Sequence, residues 1–354
     1  MVATEDKKFM KRCLELASKA EGLTYPNPLV GSVIVHEGKI IGEGFHLKAG
    51  GEHAEVIAIN AVPDKKRLKH STLYVNLEPC SHFGKTPPCA DFIIANSIPR
   101  VVIGTLDTSD KVSGKGFSKL KEAGCDVISG VREEECRWIN RRFFTFHEKK
   151  RPYIILKWAQ SADGYLDLLR SEDDKTGPNW ITGKPERVLV HKWRASEQAI
   201  LVGGNTIRKD NPKLNVRYWK GANPLKIILS SSGNVVNGSS SKENSGNTVV
   251  FTHNLDAVLT DIEKVKLEKQ TPSSLQIADW LYKLGTQSIF IEGGAKVLNH
   301  FLSLELWDEA KIFTGKNYFK DGIKAPSING ALYSRTTFTG SSLEIYKNGS
   351  LSEF

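Results

Sequence analysis

Three residues able to bind a transition metal, His53, Cys80 and Cys89, fall where strand-like and helix-like runs alternate. His53 opens HAEVIAINAV (53–62), a run with the length and apolar spacing of a short helix. Cys80 follows the strand-like TLYVNLE (72–78), and Cys89 ends the Pro- and Gly-rich loop EPCSHFGKTPPCA (78–90) before another helical run. One ion held by all three would force two helix starts and a strand end onto a single point. Few folds can satisfy that.

The cysteines admit other readings: a disulfide, a redox pair or a nucleophile. Five cysteines (Cys13, Cys80, Cys89, Cys125, Cys136) are too few, and odd in number, for a disulfide scaffold. The opening MVATEDKKFMKRC lacks the apolar core of a secretion signal. No apolar run approaches the roughly 20 residues of a membrane helix. A cytoplasmic protein with reduced thiols is therefore expected. A nucleophilic cysteine leaves His53-Ala54-Glu55 unexplained, whereas a metal site accounts for it. In the H-x-E pattern of zinc deaminases the histidine binds metal, and the glutamate moves protons without touching it. Helix N-termini near Cys80 and Cys89 would stabilise both sulfurs as anions.

At 354 residues the chain exceeds the roughly 250–300 at which a single core stops growing, so two domains are expected. TEDKKFMKRCLELASKA reads as a helix, with Thr4 as cap and Phe9, Met10, Cys13, Leu14 and Ala17 at helical spacing. Strands follow at 29–36, 39–46, 72–78, 101–105 and 126–129, then one continuous helix over 132–146. The basic, Pro-terminated HEKKRP marks the boundary between domains 1–148 and 149–354. A second α/β series has strands at 153–161, 199–203, 225–230, 248–253, 288–294 and 309–315, with helices at 184–195 and 272–284. The Ser/Gly/Asn-rich 230–247 reads as a surface loop.

The formal charge of +9 invites a nucleic-acid partner. Lysines and arginines are scattered, however, and the one tight run is Lys149-Lys150-Arg151. A solvated surface or a phosphorylated small molecule accommodates that charge equally, so neither nucleic acid nor membrane is expected as a partner.

The spacer between the cysteines is the more specific signal. Most zinc deaminases place two residues there, and this chain places eight, SHFGKTPP. Together with HAE, YPNP (25–28), NPLVGSVIV, GEGFHLKAGGEHAE and NRRFFTFH, the stretch closely resembles the deaminase domain of the bifunctional deaminase–reductases of riboflavin biosynthesis, across 9–147. The resemblance implies a cytidine-deaminase-like α/β/α domain that removes an amino group from a phosphorylated diaminopyrimidinone. It places zinc on His53, Cys80 and Cys89, the proton carrier at Glu55, and Asn27, His82 and Lys85 against the substrate. His46, at a strand end, reads equally as a substrate-binding or supporting residue of that site and as an ordinary strand-end histidine. Asp107-Thr108-Ser109 stands where the family usually has Asp-Pro-Asn.

Residues 151–354 contain no P-loop and no G-x-G-x-x-G. SIFIEGGAKVLNHF (288–301) is a strand ending in Glu-Gly-Gly before a helix, a turn through which backbone N–H groups can approach a phosphate. With KWAQSADGY (157–165), NWITG (179–183), AILVGGNTIRKDNPKLNVR (199–217) and GIKAP (322–326), it resembles the reductase half of the same family. That implies a dihydrofolate-reductase-like α/β domain using NADPH. By the same resemblance Trp180, Thr206, Asp210, Ser231, Gly293, Gly294 and Ala295 line the cofactor. Arg194, Leu214, Arg217 and Glu292 hold the substrate, and Lys157 and Asp163 are candidates for proton handling. Pro178 stands where the family often has Ser, and Ser230 where it commonly has Asp. Two rivals stay open: a tRNA-type nucleic-acid deaminase with an appended binding module, and a deaminase fused to a degenerate reductase. A homo-oligomer is also expected.

Overall fold

The computed structural model describes residues 4–81, 87–108, 114–171, 177–233, 247–256 and 262–349. The chain divides into two compact units between Lys150 and Arg151.

The first unit is a five-stranded sheet of order β2-β1-β3-β4-β5, from Lys39–Phe45 (β2), Gly31–His36 (β1), Thr72–Leu77 (β3), Arg100–Thr105 (β4) and Asp126–Ile128 (β5). β1 runs antiparallel to β2 and β3, while β3, β4 and β5 are parallel. Strand alternation puts Val33, Val35, Tyr74 and Val102 on one face, against Phe9, Met10, Cys13 and Leu16 of α1 (Thr4–Ser18). Ile34, Leu73, Val75, Val101 and Ile103 occupy the other. There they meet α2 (Ala54–Asn60), α3 (Cys89–Ala95) and α4 (Lys115–Glu122). Buried Asp6 pins α1 to the sheet, taking Arg100 Nη1 and Nη2 at 3.0 Å each and the Tyr74 hydroxyl at 2.9 Å.

The helix expected over 132–146 is broken in two, α5 (Glu133–Ile139) and α6 (Arg141–Lys149). Asn140 sits at the break because its side chain is needed elsewhere. Its Oδ1 accepts the Leu29 N–H at 2.7 Å and its Nδ2 donates to the Leu29 carbonyl at 2.9 Å.

The second unit holds a nine-stranded sheet of order β11-β10-β9-β8-β12-β6-β13-β16-β15. Its parallel block runs through Glu263–Lys266 (β11), Thr248–Thr252 (β10), Leu225–Leu229 (β9), Ala199–Gly203 (β8), Ser288–Ile291 (β12), Tyr153–Gln160 (β6) and Glu309–Gly315 (β13). Ser341–Lys347 (β16) and Ala331–Thr337 (β15) close that edge antiparallel. Tyr165–Asp167 (β7) and Ile323–Lys324 (β14) form a separate pair. The face carrying Ile155, Ile200 and Phe290 packs on α7 (Lys184–Ser196) through Val190 and Trp193. The opposite face packs on α9 (Ser273–Lys283) and α10 (Ala295–Ser303) through Ile277, Leu281, Leu298 and Phe301. α8 (Gly204–Asp210) follows β8 directly. The strand expected over 288–294 stops at Ile291, which leaves Glu292-Gly293-Gly294 as a turn.

Glycine lets α2 lie almost on the backbone of β2. A Cβ at Gly44 would sit 2.5 Å from the Ala54 carbonyl oxygen and 2.6 Å from the Ala58 nitrogen. Gly44→Ala must therefore push α2 off the sheet. We expect it to cost about 1–3 kcal/mol, the usual range for overpacking, read as a lowered urea midpoint. An unchanged midpoint would show that α2 is not seated as described.

Candidate functional site

Three elements converge at the end of β3. His53 is the residue before α2, Cys80 follows β3, and Cys89 is the first residue of α3. One donor atom from each of these three residues lies within 4.8 Å of the others, the metal-capable cluster found among the described residues. His53 Nδ1 is 3.1 Å from Cys89 Sγ and 3.5 Å from Cys80 Sγ. Ligand atoms of a tetrahedral zinc at 2.0–2.3 Å stand roughly 3.3–3.8 Å apart, so the spacing fits that ion. The Cys89 N–H donates to Cys80 Sγ at 3.3 Å, and the Cys89 thiol and His53 support the same sulfur, pulling Cys80 down to about 4. The adjacent Cys80 sulfur and burial hold Cys89 well above the usual thiol range. Because zinc binds thiolates, filling the site releases protons from this pair.

Glu55, in the first turn of α2, is 3% exposed. Burial, then the Cys80 charge, raises its carboxyl to about 7, where it can both give and take a proton. Asn27 and His46 are brought together beside this centre: Asn27 Nδ2 lies 3.0 Å from His46 Nε2, and His46 Nδ1 lies 2.9 Å from the Glu52 carbonyl. The His46 ring meets His53 edge-on at 5.5 Å. His82 and Lys85 lie outside the described residues.

In the second unit, the turns after β8 and β12 are side by side because those strands pair in parallel. A Cβ at Gly294 would meet Thr206 Oγ1 at 3.4 Å, and one at Gly293 would meet Val297 Cβ at 2.8 Å. Gly294 caps α10 with no side-chain hydrogen bond, leaving the N–H groups of Ala295 and its neighbour at the helix start. The bare backbone, the Thr206 hydroxyl and the helix dipole fit a cofactor phosphate.

Next to this turn is a buried ionic cluster. Arg194 of α7 grips Glu292 in two bonds, Nε–Oε1 at 2.6 Å and Nη2–Oε2 at 2.9 Å, and Lys157 Nζ lies 3.7 Å from Oε2. Although burial opposes ionisation, Arg194 and Lys157 bring Glu292 from an ordinary 4.5 to about 2. Burial lowers Lys157, against the pull of Glu292. Leu214 and Arg217 belong to a loop held by α7. The other expected residues are engaged as follows. Asp210 accepts Arg170 Nη2 at 2.6 Å, and exposed Trp180 stacks 4.4 Å from Arg187. The Ser231 carbonyl takes the His253 N–H at 3.3 Å. Asp163 takes Ser161 Oγ at 2.6 Å and the N–H groups of Phe319 and Lys320 at 3.1 and 2.7 Å, which lower its pKa together with the other hydrogen bonds it accepts.

Residues 3–105 match the family model for the cytidine and deoxycytidylate deaminase zinc-binding region, and 152–316 match the RibD C-terminal domain. The riboflavin biosynthesis protein RibD of Aquifex aeolicus is 41% identical over 336 residues, covering 91% of this chain and 90% of its own. This chain belongs to the RibD family. The RibD protein of Escherichia coli is 33% identical over 326 residues, 87% of each chain. A Thermotoga maritima structure, described as a diaminohydroxyphosphoribosylaminopyrimidine deaminase/5-amino-6-(5-phosphoribosylamino)uracil reductase, superposes with a TM-score of 0.88 at 36% identity, covering 98% of this chain and 99% of that one. Acinetobacter baumannii RibD superposes at 0.86 with 29% identity, with the same coverage. The chain is a bifunctional enzyme of riboflavin biosynthesis, with a zinc-binding deaminase domain and an NADPH-using reductase domain. Among the described residues no helix is long and apolar enough to cross a membrane.

One buried carboxylate beside the site went unread in the sequence. Glu78, two residues before Cys80 and 4% exposed, accepts the N–H groups of Asp107 and Gly114 at 3.1 Å each and of Phe117 at 3.0 Å. It fixes the start of α4 against the Cys80 loop. Its partners are main-chain groups of 107–117, so no side-chain pattern announces them.

Two outcomes follow from these contacts. Glu78→Gln keeps the shape but loses charge-assisted bonds, and should cost about 2–3 kcal/mol in denaturation. Zinc retention against a chelator should fall about tenfold, the lower end for groups that orient metal ligands. A variant equal to wild type in both would refute the bracing role. Because Glu292 is held below its unfolded value, its stabilisation is complete above pH 4.5 and disappears as pH falls toward 2. Denaturation midpoints of the full chain across that window should lose this component, and Glu292→Gln should flatten it.

Proposed function

We propose that residues 1–148 deaminate 2,5-diamino-6-ribosylamino-4(3H)-pyrimidinone 5′-phosphate at C2, and that residues 149–354 reduce the ribosyl group of the product to ribityl. The observation that carries the deaminase reading is the meeting of His53, Cys80 and Cys89 within 4.8 Å beside the buried Glu55. In this reading those three residues are the zinc ligands. Zinc supplies Lewis acidity and lowers the pKa of a bound water to about 7. Glu55 takes a proton from the attacking water as its oxygen bonds to C2, then delivers that proton to the amino nitrogen, which leaves as ammonia. Asn27, oriented by His46, meets the substrate. The closed bond from the Glu52 carbonyl through His46 to Asn27 supports that placement, because it fixes the Asn27 amide.

In the reductase, NADPH supplies a hydride. The Gly293-Gly294-Ala295 turn and Thr206 would hold its phosphate, with Trp180, Asp210 and Ser231 further along it. Arg217 binds the substrate phosphate in a forked geometry suited to it, Leu214 packs beside it, and Arg194 supports the substrate pocket through its bonds to Glu292 and the Asn215 carbonyl. Glu292 orients the sugar. Lys157, buried and eased toward its neutral form, gives a proton to the ring oxygen as the C1′–O bond opens and hydride reaches C1′. The intact Arg194–Glu292–Lys157 cluster supports a working reductase over a degenerate one, despite Pro178 and Ser230.

Glu55→Gln should retain zinc by metal analysis and lose ammonia release by about 10²–10⁴, the usual worth of a general acid–base. Ammonia release near wild type would remove Glu55 from this role.

A further inference from the structure

The loop carrying Leu214 and Arg217 is held in an unusual shape. Leu214 has φ of 52°, in the left-handed region that a branched residue adopts only under constraint. Three tethers supply the constraint. Arg194 Nη1 donates to the Asn215 carbonyl at 3.2 Å, and Asn223 Oδ1 accepts the Val216 N–H at 2.8 Å. The third is His191, whose Nδ1 accepts the Arg217 N–H at 3.1 Å. His191 and Arg194 stand three residues apart on α7, so one helix face presents both holds.

His191 is 3% exposed, and its ring meets Tyr218 edge-on at 4.7 Å. The Arg217 guanidinium in turn lies 4.9 Å from the centre of the Tyr218 ring and donates to Asn215 Oδ1 at 2.9 Å. Backbone and side chain of Arg217 are therefore both referred to this imidazole. A ring nitrogen that accepts an N–H is unprotonated, so the proton is on Nε2. Burial, reinforced by the charges of Arg194 and Arg217 and opposed by Glu292, brings His191 down to about 4. At neutral pH the ring stays an acceptor. A protonated ring would turn an N–H toward the Arg217 N–H and set a third cation beside two arginines.

We propose that His191 is a positioning residue of the reductase: as a neutral acceptor it fixes the Leu214–Tyr218 loop and so sets where Arg217 meets the substrate phosphate. This rests on the reading of Arg217 as a substrate contact.

The test is steady-state NADPH oxidation by the full chain with the deaminated substrate, comparing wild type, Arg217→Ala, His191→Leu and His191→Asn. Asparagine Oδ1 takes the place of imidazole Nδ1 and cannot titrate. We expect Arg217→Ala and His191→Leu each to raise KM for the pyrimidine about tenfold, with kcat and the KM for NADPH within about twofold of wild type. His191→Asn should restore KM to within about twofold. In histidine-labelled protein, nitrogen NMR should show a ring protonated on Nε2 alone down to pH 5. The proposal fails if His191→Leu leaves KM unchanged while Arg217→Ala raises it. It also fails if asparagine is no better than leucine, if kcat and NADPH binding fall alongside, or if the neutral ring carries its proton on Nδ1. An unchanged KM in Arg217→Ala would instead overturn the underlying substrate reading, and this inference with it.

Discussion

Two cysteine sulfurs and an imidazole nitrogen share one small volume in the first unit, and much of that unit's architecture serves to put them there. Such a grouping gains little from burial, since two adjacent thiols resist losing their second proton. It is imposed by the backbone. β3 ends at Leu77 and delivers Cys80, α3 begins at Cys89, and α2 can bring His53 close because Gly44 lets that helix rest on β2. Glu78 then ties the Cys80 loop to Asp107 and to the start of α4 through three main-chain bonds. The position of Glu55 follows: one turn into the helix that His53 opens, its carboxyl is buried beside the sulfurs and shifted to where proton transfer is easy.

The second unit works from a different constraint, a buried imbalance of charge. One carboxylate, Glu292, faces two cations, Arg194 and Lys157, at the end of the central strands. Removing one partner from such a cluster leaves a buried charge uncompensated. The remaining positive charge suits a phosphorylated substrate, and the adjoining Gly293-Gly294 turn offers backbone donors to a cofactor phosphate. α7 links the two roles: its inner side packs on the sheet through Val190 and Trp193, while His191 and Arg194 hold the loop that carries Arg217.

Much of this was legible in the residues. Each expected strand up to 315 has a counterpart, since buried parallel strands announce themselves as continuous β-branched runs. The edge strands β11 and β15, the strand β16 beside β15 and the short pair β7 and β14 were not read, because EKVK and ALYSRTT carry many exposed side chains and SSLEIYK mixes polar with apolar residues. The break between α5 and α6 was hidden for another reason. Helical periodicity continues through Asn140, and only its distant bonds to Leu29 explain why the helix stops there. The convergence of His53, Cys80 and Cys89 was visible because ligand chemistry restricts residue type and order. Glu78 and His191 were invisible because both bond to main chain, which leaves no mark on the partner's identity.

The central claim is that one chain carries both reactions in sequence, and the most direct measurement is their stoichiometry. Purified full-length protein with zinc, NADPH and the diaminopyrimidinone 5′-phosphate should release one ammonia for each NADPH oxidised, with no NADPH consumed before ammonia appears. Ammonia release without NADPH oxidation, under conditions that deplete the first substrate, would contradict the account.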